Sequence, residues 1–393
     1  MSGKPLKVAL VHDWLTGMRG GEYVLDAIAE IFSRADLFTL LYVPGKISPT
    51  LTTLNRHVSW LQKVPGAEKR YRGFLPLMPS MISRFDLSGY DLVISSSHCV
   101  AKGIRKAPGA VHVSYVHAPM RYIWDRFEDY FGKGRASLPV RTAAQLMRKK
   151  LQDWDREVSS AERVDLLVAN SHYIAAQIHA AYDRDSKVVY PFADLKRFTQ
   201  PRRPGRNYLM VTAFAPYKRI DLAIEAFNRL KLPLLIVGGG QDQGRLKRLA
   251  GPTVDFLGPL SNGAIADLYA KCRAFIFPGQ EDFGITPVEA MAAGSPVIAY
   301  GVGGAAETVT EKTGVLFRPQ TVEALMEAVA KVESGVAHFE EADCRARASE
   351  FSRERFQQEF IQAVREAWKA ANKDMEPLEE RIRSGWAAQA LER

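Results

Sequence analysis

Glu281 and Glu289 stand with seven residues between them in the stretch Gln280-Glu281-Asp282-Phe283-Gly284-Ile285-Thr286-Pro287-Val288-Glu289. Ionised carboxylates accept hydrogen bonds from hydroxyls and pair with cations. Phe283-Gly284-Ile285 adds backbone N–H groups near an expected helix start, where the peptide dipoles favour an anion. A carboxylate in a loop, amides beside it and a second carboxylate on a helix could grip a hydroxyl-rich phosphate ester. The same residues also describe an ordinary strand-to-helix unit with two solvated glutamates. A second candidate is Ala215-Pro216-Tyr217-Lys218-Arg219-Ile220-Asp221. Two adjacent cations at a strand end, just before a helix, suit a diphosphate. Alone, such a pair is more often solvated. In the same domain as Glu281 and Glu289, it outlines a nucleotide-sugar site.

These residues need particular elements to position them. Ala274-Phe275-Ile276-Phe277-Pro278 reads as a buried parallel strand stopped by proline. Residues 287–293 have helical composition, with Pro287 in the first turn and Gly294 past the end. Glu281 therefore falls in a loop and Glu289 one to two turns into a helix. Strand patterns recur at 208–213, 234–237, 254–256, 296–299 and 315–317, with helical ones at 220–230, 243–250 and 264–271. The first half repeats this alternation. An apolar run at 8–11 precedes the glycine loop containing Gly20 and Gly21, then a helix from Glu22, with further strands at 37–42, 92–95, 111–116 and 166–170. Such alternation predicts α/β architecture with mostly parallel sheets, whose ligands lie at the carboxyl ends of strands. Polar clusters sit there: Ser95-Ser96-Ser97-His98, His117-Ala118-Pro119 and Asn170-Ser171-His172. His117 is taken as a functional candidate and His98 as a strand-end cap.

A chain of 393 residues suggests two domains, 1–195 and 207–352, joined by the Pro- and Arg-rich stretch 194–206. A helical tail at 353–393, with Phe356, Phe360, Val364 and Trp368 on its pattern, could cross back onto the first domain. Formal charge is +9, and residues 1–195 hold 26 Lys/Arg against 19 Asp/Glu, a net +7. That excess suits a phosphate-rich ligand or an anionic membrane surface, while no nucleic-acid module is recognisable. Within it, 56–82 carries Arg56, Lys63, Lys69, Arg70 and Arg72 beside Phe74, Leu75, Leu77, Met78, Met81 and Ile82. This fits an anionic lipid interface, or equally a helix packing its apolar face inward. Arg148-Lys149-Lys150 reads as a solvated face, as do the pairs Asp153/Asp155 and Asp183/Asp185, so no metal site is expected. Cys99, Cys272 and Cys344 are odd in number and widely spaced, which argues for reduced structural thiols. No run nears the ~18 apolar residues of a spanning helix, so a cytoplasmic protein is expected, with 56–82 as its candidate contact to the inner face of a membrane.

The spacing of Glu281 and Glu289 resembles the E-x7-E motif of retaining GT-B glycosyltransferases of family 4, and Phe283-Gly284-Ile285 fits its Phe-Gly-aliphatic insert. The likeness extends to Lys218, Gly238–Gly240, Phe256-Leu257-Gly258, the stretch Gly294 to Ala299 and Gly303-Gly304. Gly20-Gly21-Glu22 and the stretch Val116 to Tyr122 look like mannosyltransferases of bacterial surface polysaccharides. The resemblance implies two Rossmann-like domains facing across a cleft, with the nucleotide-sugar mainly on the second and the acceptor on the first. It implies that Lys218 binds the diphosphate, Glu281 the sugar hydroxyls and Glu289 the ribose. The backbone of Phe283, Gly284 and Ile285 would approach sugar and phosphate, Gly20 and Gly21 would close from the other domain, and His117 would lie near the reacting sugar. Many members carry an arginine shortly before the lysine; this chain has Thr212-Ala213-Phe214 there, which leaves Arg219 as the candidate second cation. The implied activity is transfer of a hexose, best mannose from GDP-mannose, to a lipid-linked or saccharide acceptor, with retention and with neither metal nor other cofactor. A UDP-sugar donor, a nucleotide-sugar 2-epimerase and a non-catalytic sugar- or lipid-binding module are the alternatives.

Overall fold

Apolar runs form most of the strands, and the central ones are buried on both faces, as parallel sheets require. A computed structural model describes residues 5–132 and 137–391. The chain divides into two units, Met1–Val189 with Gln357–Arg393, and Tyr190–Phe356. The first unit holds β1 (Val8–His12), β2 (Asp36–Thr39), β3 (Asn55–Val58), β4 (Leu92–Ser97), β5 (Val111–Val116), β6 (Leu166–Ala169) and β7 (Lys187–Val188). All pairings are parallel, in the order β3-β2-β1-β4-β5-β6-β7. The second holds β8 (Tyr208–Val211), β9 (Leu234–Val237), β10 (Val254–Gly258), β11 (Phe275–Phe277), β12 (Val297–Tyr300) and β13 (Gly314–Phe317), in the order β10-β9-β8-β11-β12-β13. Strand order therefore reverses between β1 and β4 in one sheet and between β8 and β11 in the other. At such switch points the flanking helices lie on opposite faces, which leaves a crevice at the carboxyl ends.

The two-residue period of a strand builds the core of the second unit on both faces of its sheet. Leu209, Phe275, Phe277, Val297 and Ala299 pack into one cluster with Val288 and Met291. Tyr208, Met210, Ile276 and Ile298 enter the other, with Ile224 and Phe227. The strands β3 and β7 are absent from the sequence reading. Asn55-Arg56-His57-Val58 lies at a sheet edge with no buried residue, and β7 is two residues long, so neither presents an apolar run.

Several expectations need revision. The stretch 194–206 is no free linker. The Arg203 and Gly205 amides donate to the carbonyls of Ala270 and Lys271, and Phe198 is buried. The unit boundary lies earlier, at Val189/Tyr190. The C-terminal helices Arg353–Ala370 and Glu376–Leu391 bring the chain back into the first unit. There Gln357 donates to Ala27 O at 3.0 Å, and Lys187 meets Glu366 at 2.6 Å. In 56–82 the apolar residues split. Met78, Met81 and Ile82 are core, whereas Trp60 and Leu77 are 41 % and 50 % exposed. Arg148 is not simply solvated, since its guanidinium donates to the Ile123 and Trp124 carbonyls and covers the Phe127 ring. Cys99, Cys272 and Cys344 are buried and unpaired. Among the described residues no helix is long and apolar enough to cross a membrane.

Asp155 departs most from expectation. Asp153, Asp183 and Asp185 are exposed, but Asp155 is fully buried against Lys102 Nζ at 2.6 Å, with neither side chain exposed. Trp124 Nε1 and Tyr182 OH each donate to its other oxygen at 2.8 Å. Removing one member of a buried pair leaves the other charge uncompensated. Asp155→Ala should therefore cost about 3–5 kcal/mol in urea unfolding; a loss below about 1 kcal/mol, the range of surface pairs, would show that Lys102 finds another partner.

Candidate functional site

The loops after β8 and β11 meet at the switch point of the second sheet. β8 runs into the 3₁₀ turn Pro216–Lys218, followed by Arg219 and the helix Ile220–Leu230. Arg219 adopts φ 51°, the left-handed region, which costs a non-glycine residue roughly 1 kcal/mol or more. After β11, Gly279 crosses this turn so closely that a Cβ there would lie 2.9 Å from Lys218 Cα. Glycine at 279 thus lets the two loops touch. The second loop ends at Gly284, whose φ of 85° sets the N-cap of the helix Ile285–Ala292. Gly304 N donates to Glu281 O at 2.9 Å and holds the loop from its far side.

This packing brings Lys218 Nζ onto the Glu281 carboxylate as an ion pair, with the side chains only 15 % and 19 % exposed. Lys218 Nζ also lies 5.1 Å from the centre of the Tyr217 ring. Arg219 is placed differently. Its guanidinium is held by Asp221 at 3.5 Å and by Gln320 Oε1 at 3.1 Å, while Gln320 donates to Pro278 O at 2.7 Å. Arg219 thus braces the base of the loop. Phe283 is core, its ring packed on Tyr190 and Phe351 at 5.9 and 5.6 Å. Anchoring Phe283 fixes the backbone of Gly284 and Ile285 at the helix start, where first-turn amides have no partner within the helix.

Glu289 lies in the second turn of that helix and is served by different residues. Arg197 Nη1 meets Oε1 and the buried Tyr269 hydroxyl donates to Oε2, both at 3.2 Å. Burial pushes its carboxyl above the ordinary range, and the Arg197 charge and Tyr269 hydrogen bond only partly offset that. Arg197, Tyr269 and Gln320 carry no sequence pattern that marks them; only folding brings them to Glu289 and Arg219.

The first unit has its own cluster at the β1/β4 switch point. Gly20 and Gly21 open the helix Gly20–Ile31, and a Cβ on Gly21 would lie 3.4 Å from His117 Nε2. His117, just past β5, engages Ser96 Oγ through Nε2 at 2.8 Å, and His12 Nδ1 reaches the same oxygen at 3.2 Å. Burial, with His98 and His12 nearby, pushes the His117 pKa well below its ordinary value. Asp13 is buried and accepts the amides of His98, Cys99, Val100 and Ala101 at 2.5–3.1 Å, and His98 Nδ1 at 3.1 Å. Burial alone would raise its pKa, but the neighbouring histidines and the amides hold it below the usual carboxylate value. His98 stacks edge-on to Trp14 at 4.6 Å, which is a structural role. His12 and Asp13 sit at the carboxyl end of β1, the same kind of strand-end position that marks His117. Among the described residues, no three His, Cys, Asp or Glu side chains converge to hold a metal ion.

Two doubly wound parallel units are the architecture of GT-B glycosyltransferases. Residues 18–197 match "Glycosyltransferase Family 4" and residues 193–354 match "Glycosyl transferases group 1". Among solved structures, the chain resembles HepE of Anabaena in complex with UDP, with TM-score 0.65 and 19 % identity, over 92 % of this chain and all of that one. Among curated proteins, it is 30 % identical to O-antigen chain mannosyltransferase C of Escherichia coli over 50 % of this chain and 57 % of that protein. A D-inositol 3-phosphate glycosyltransferase of Gordonia bronchialis is 31 % identical over 41 % and 43 %. A GDP-mannose-dependent alpha-mannosyltransferase of Mycolicibacterium smegmatis is 40 % identical over 27 % and 28 %. The matched stretch spans 28–57 % of the length of these relatives. The chain belongs to the family 4, group 1 glycosyltransferases.

The Glu289 environment gives a pH test. A carboxyl raised on folding makes the folded state hold its proton longer, so stability falls as pH rises from the free value, 4.5, through the folded one. The stability of wild type relative to Glu289→Gln should therefore decline as pH rises across that window in urea titrations. Arg197→Ala should enlarge the decline, and a difference that grows with pH would reverse the assignment.

Proposed function

We propose that the protein is a retaining hexosyltransferase that moves mannose from GDP-mannose to a lipid-linked or saccharide acceptor. The observation that carries this is the Lys218–Glu281 pair at the β8/β11 switch point, with Glu289 on the helix that starts from the same loop. Lys218 stabilises the charge that gathers on the departing diphosphate, and the fixed amides at Gly284 and Ile285 add to it without a resident metal. When the donor enters, Lys218 exchanges its carboxylate partner for phosphate, which frees Glu281 to accept hydrogen bonds from sugar hydroxyls. Glu289, held by Arg197 and Tyr269, takes the ribose diol. Arg219 supports the loop through Gln320. Within the first unit, His117, Gly20 and Gly21 are proposed as the residues that meet substrate. The bond from the anomeric carbon to the diphosphate breaks as the acceptor oxygen bonds on the same face, and the acceptor's proton passes to the departing phosphate oxygen. Mannose and GDP are supported by the names of two relatives matched over part of their length.

The segment 56–82 is proposed as the contact to an anionic membrane surface. Trp60 and Leu77 are exposed there among exposed Lys63, Lys69, Arg70 and Arg72.

A thermal-shift panel of GDP-, UDP- and ADP-sugars tests the donor; GDP-mannose should give the largest rise in Tm, and selective stabilisation by a UDP-sugar would replace it. Glu281→Ala should lower kcat/KM about a hundred- to a thousandfold with the fold intact, whereas near-wild-type turnover would remove Glu281 from the site. Co-flotation with anionic liposomes should be lost at high salt and on Trp60→Ser with Leu77→Ser; no flotation at low salt would return the segment to ordinary surface.

A further inference from the structure

Ser96 has a single hydroxyl proton, yet it lies between two imidazole nitrogens, His117 Nε2 at 2.8 Å and His12 Nδ1 at 3.2 Å. It can donate to one and accept from the other. The choice is decided by the far side of His12. His12 and Ser96 are cross-strand partners on β1 and β4, both fully buried, and among the described residues His12 Nε2 has no hydrogen-bond partner. If Ser96 donated to His12 Nδ1, the His12 proton would sit on Nε2 as a buried N–H without an acceptor, the rarest kind of unsatisfied group. If Ser96 instead accepts from His12 Nδ1–H, Nε2 is only a lone pair without a donor, which is tolerated more readily. The Ser96 proton is then committed to His117 Nε2.

We propose that Ser96 is a positioning residue, fixed by His12, that locks neutral His117 in the Nδ1–H tautomer. Burial keeps the His117 imidazole neutral around pH 7, so a choice of tautomer exists. One residue back on β4, the same pairing recurs. Ser95 Oγ meets His112 Nε2 at 2.8 Å, and His112 Nδ1 faces the Arg163 carbonyl at 3.0 Å. A carbonyl only accepts, so His112 must carry its proton on Nδ1. The consequence for His117, which rests on the transferase reading, is that its ring meets the substrate through Nδ1–H as a hydrogen-bond donor. With Nε2 already occupied by Ser96, His117 does not act as a general base, and the acceptor proton leaves by the phosphate route described above.

The test is a long-range ¹⁵N–¹H spectrum of the histidine rings in the full-length, substrate-free protein at pH 7. The His117 signals are identified by their loss in His117→Gln, and His112 serves as the internal Nδ1–H reference. Wild type should show His117 with Nδ1 protonated, and an Nε2–H pattern overturns the proposal. Ser96→Ala should convert His117 to a mixture of tautomers, while Ser96→Thr, which keeps the hydroxyl, should retain Nδ1–H. An unchanged His117 pattern in Ser96→Ala overturns the role of Ser96. With nucleotide-sugar turnover as a second readout, Ser96→Ala should lower kcat about tenfold with KM little changed, the loss of one hydrogen bond to the transition state; an altered tautomer with unchanged kcat overturns the catalytic consequence. The spectrum needs no substrate, so failure of the transferase reading leaves it decisive for the tautomer lock.

Discussion

A parallel sheet covered on both faces has no room for chemistry within its strands. In the second unit the buried strand positions are apolar, and in the first the polar side chains buried inside β4 and β5, Ser95, His112 and Ser114, satisfy one another. Reactive side chains are pushed to the carboxyl ends, and the reversal of strand order decides which ends open onto a crevice. In the second unit the reversal lies between β8 and β11, which places the Lys218 turn against the Glu281 loop. In the first it lies between β1 and β4, where His12, Asp13 and Ser96 gather beside His117.

The two carboxylates of the second unit are compensated in different ways. Glu281 shares its charge with Lys218, a partner that a phosphate can take over. Glu289 is held by Arg197 and Tyr269 in a more buried place, and burial outweighs both. On the proposed reading, one carboxylate changes partners when phosphate binds, while the other is a fixed acceptor. Arg219, in a strained left-handed conformation, spends its charge on Asp221 and Gln320. The adjacent cations of the sequence therefore divide into one that faces the site and one that holds its wall.

The first unit buries a denser polar cluster. Asp13 satisfies four amides of the segment after β4 and anchors His98, so that segment is rigid where it borders His117. A serine between two imidazoles then leaves little freedom to the proton on either ring. The C-terminal helices complete this unit by returning to it, with Gln357 bonded to the helix that Gly20 and Gly21 begin.

The sequence by itself determined the alternation of strands and helices, the parallel sheets, the loop places of Lys218 and Glu281 and the helical place of Glu289, because these depend on local periodicity and turn chemistry. It also showed Phe283 and the glycines, whose types are dictated by backbone conformation and close approach. Only the tertiary structure decided the partners. Arg197 lies 92 residues from Glu289 and Ser96 lies 84 from His12, and no local pattern encodes a contact across such a distance. Burial was equally hidden, since Asp155 and Asp153 sit two residues apart on the same helix yet one is sealed against Lys102 and the other is in water. A helix face turns by about 100° per residue, so which side meets the core depends on what packs there.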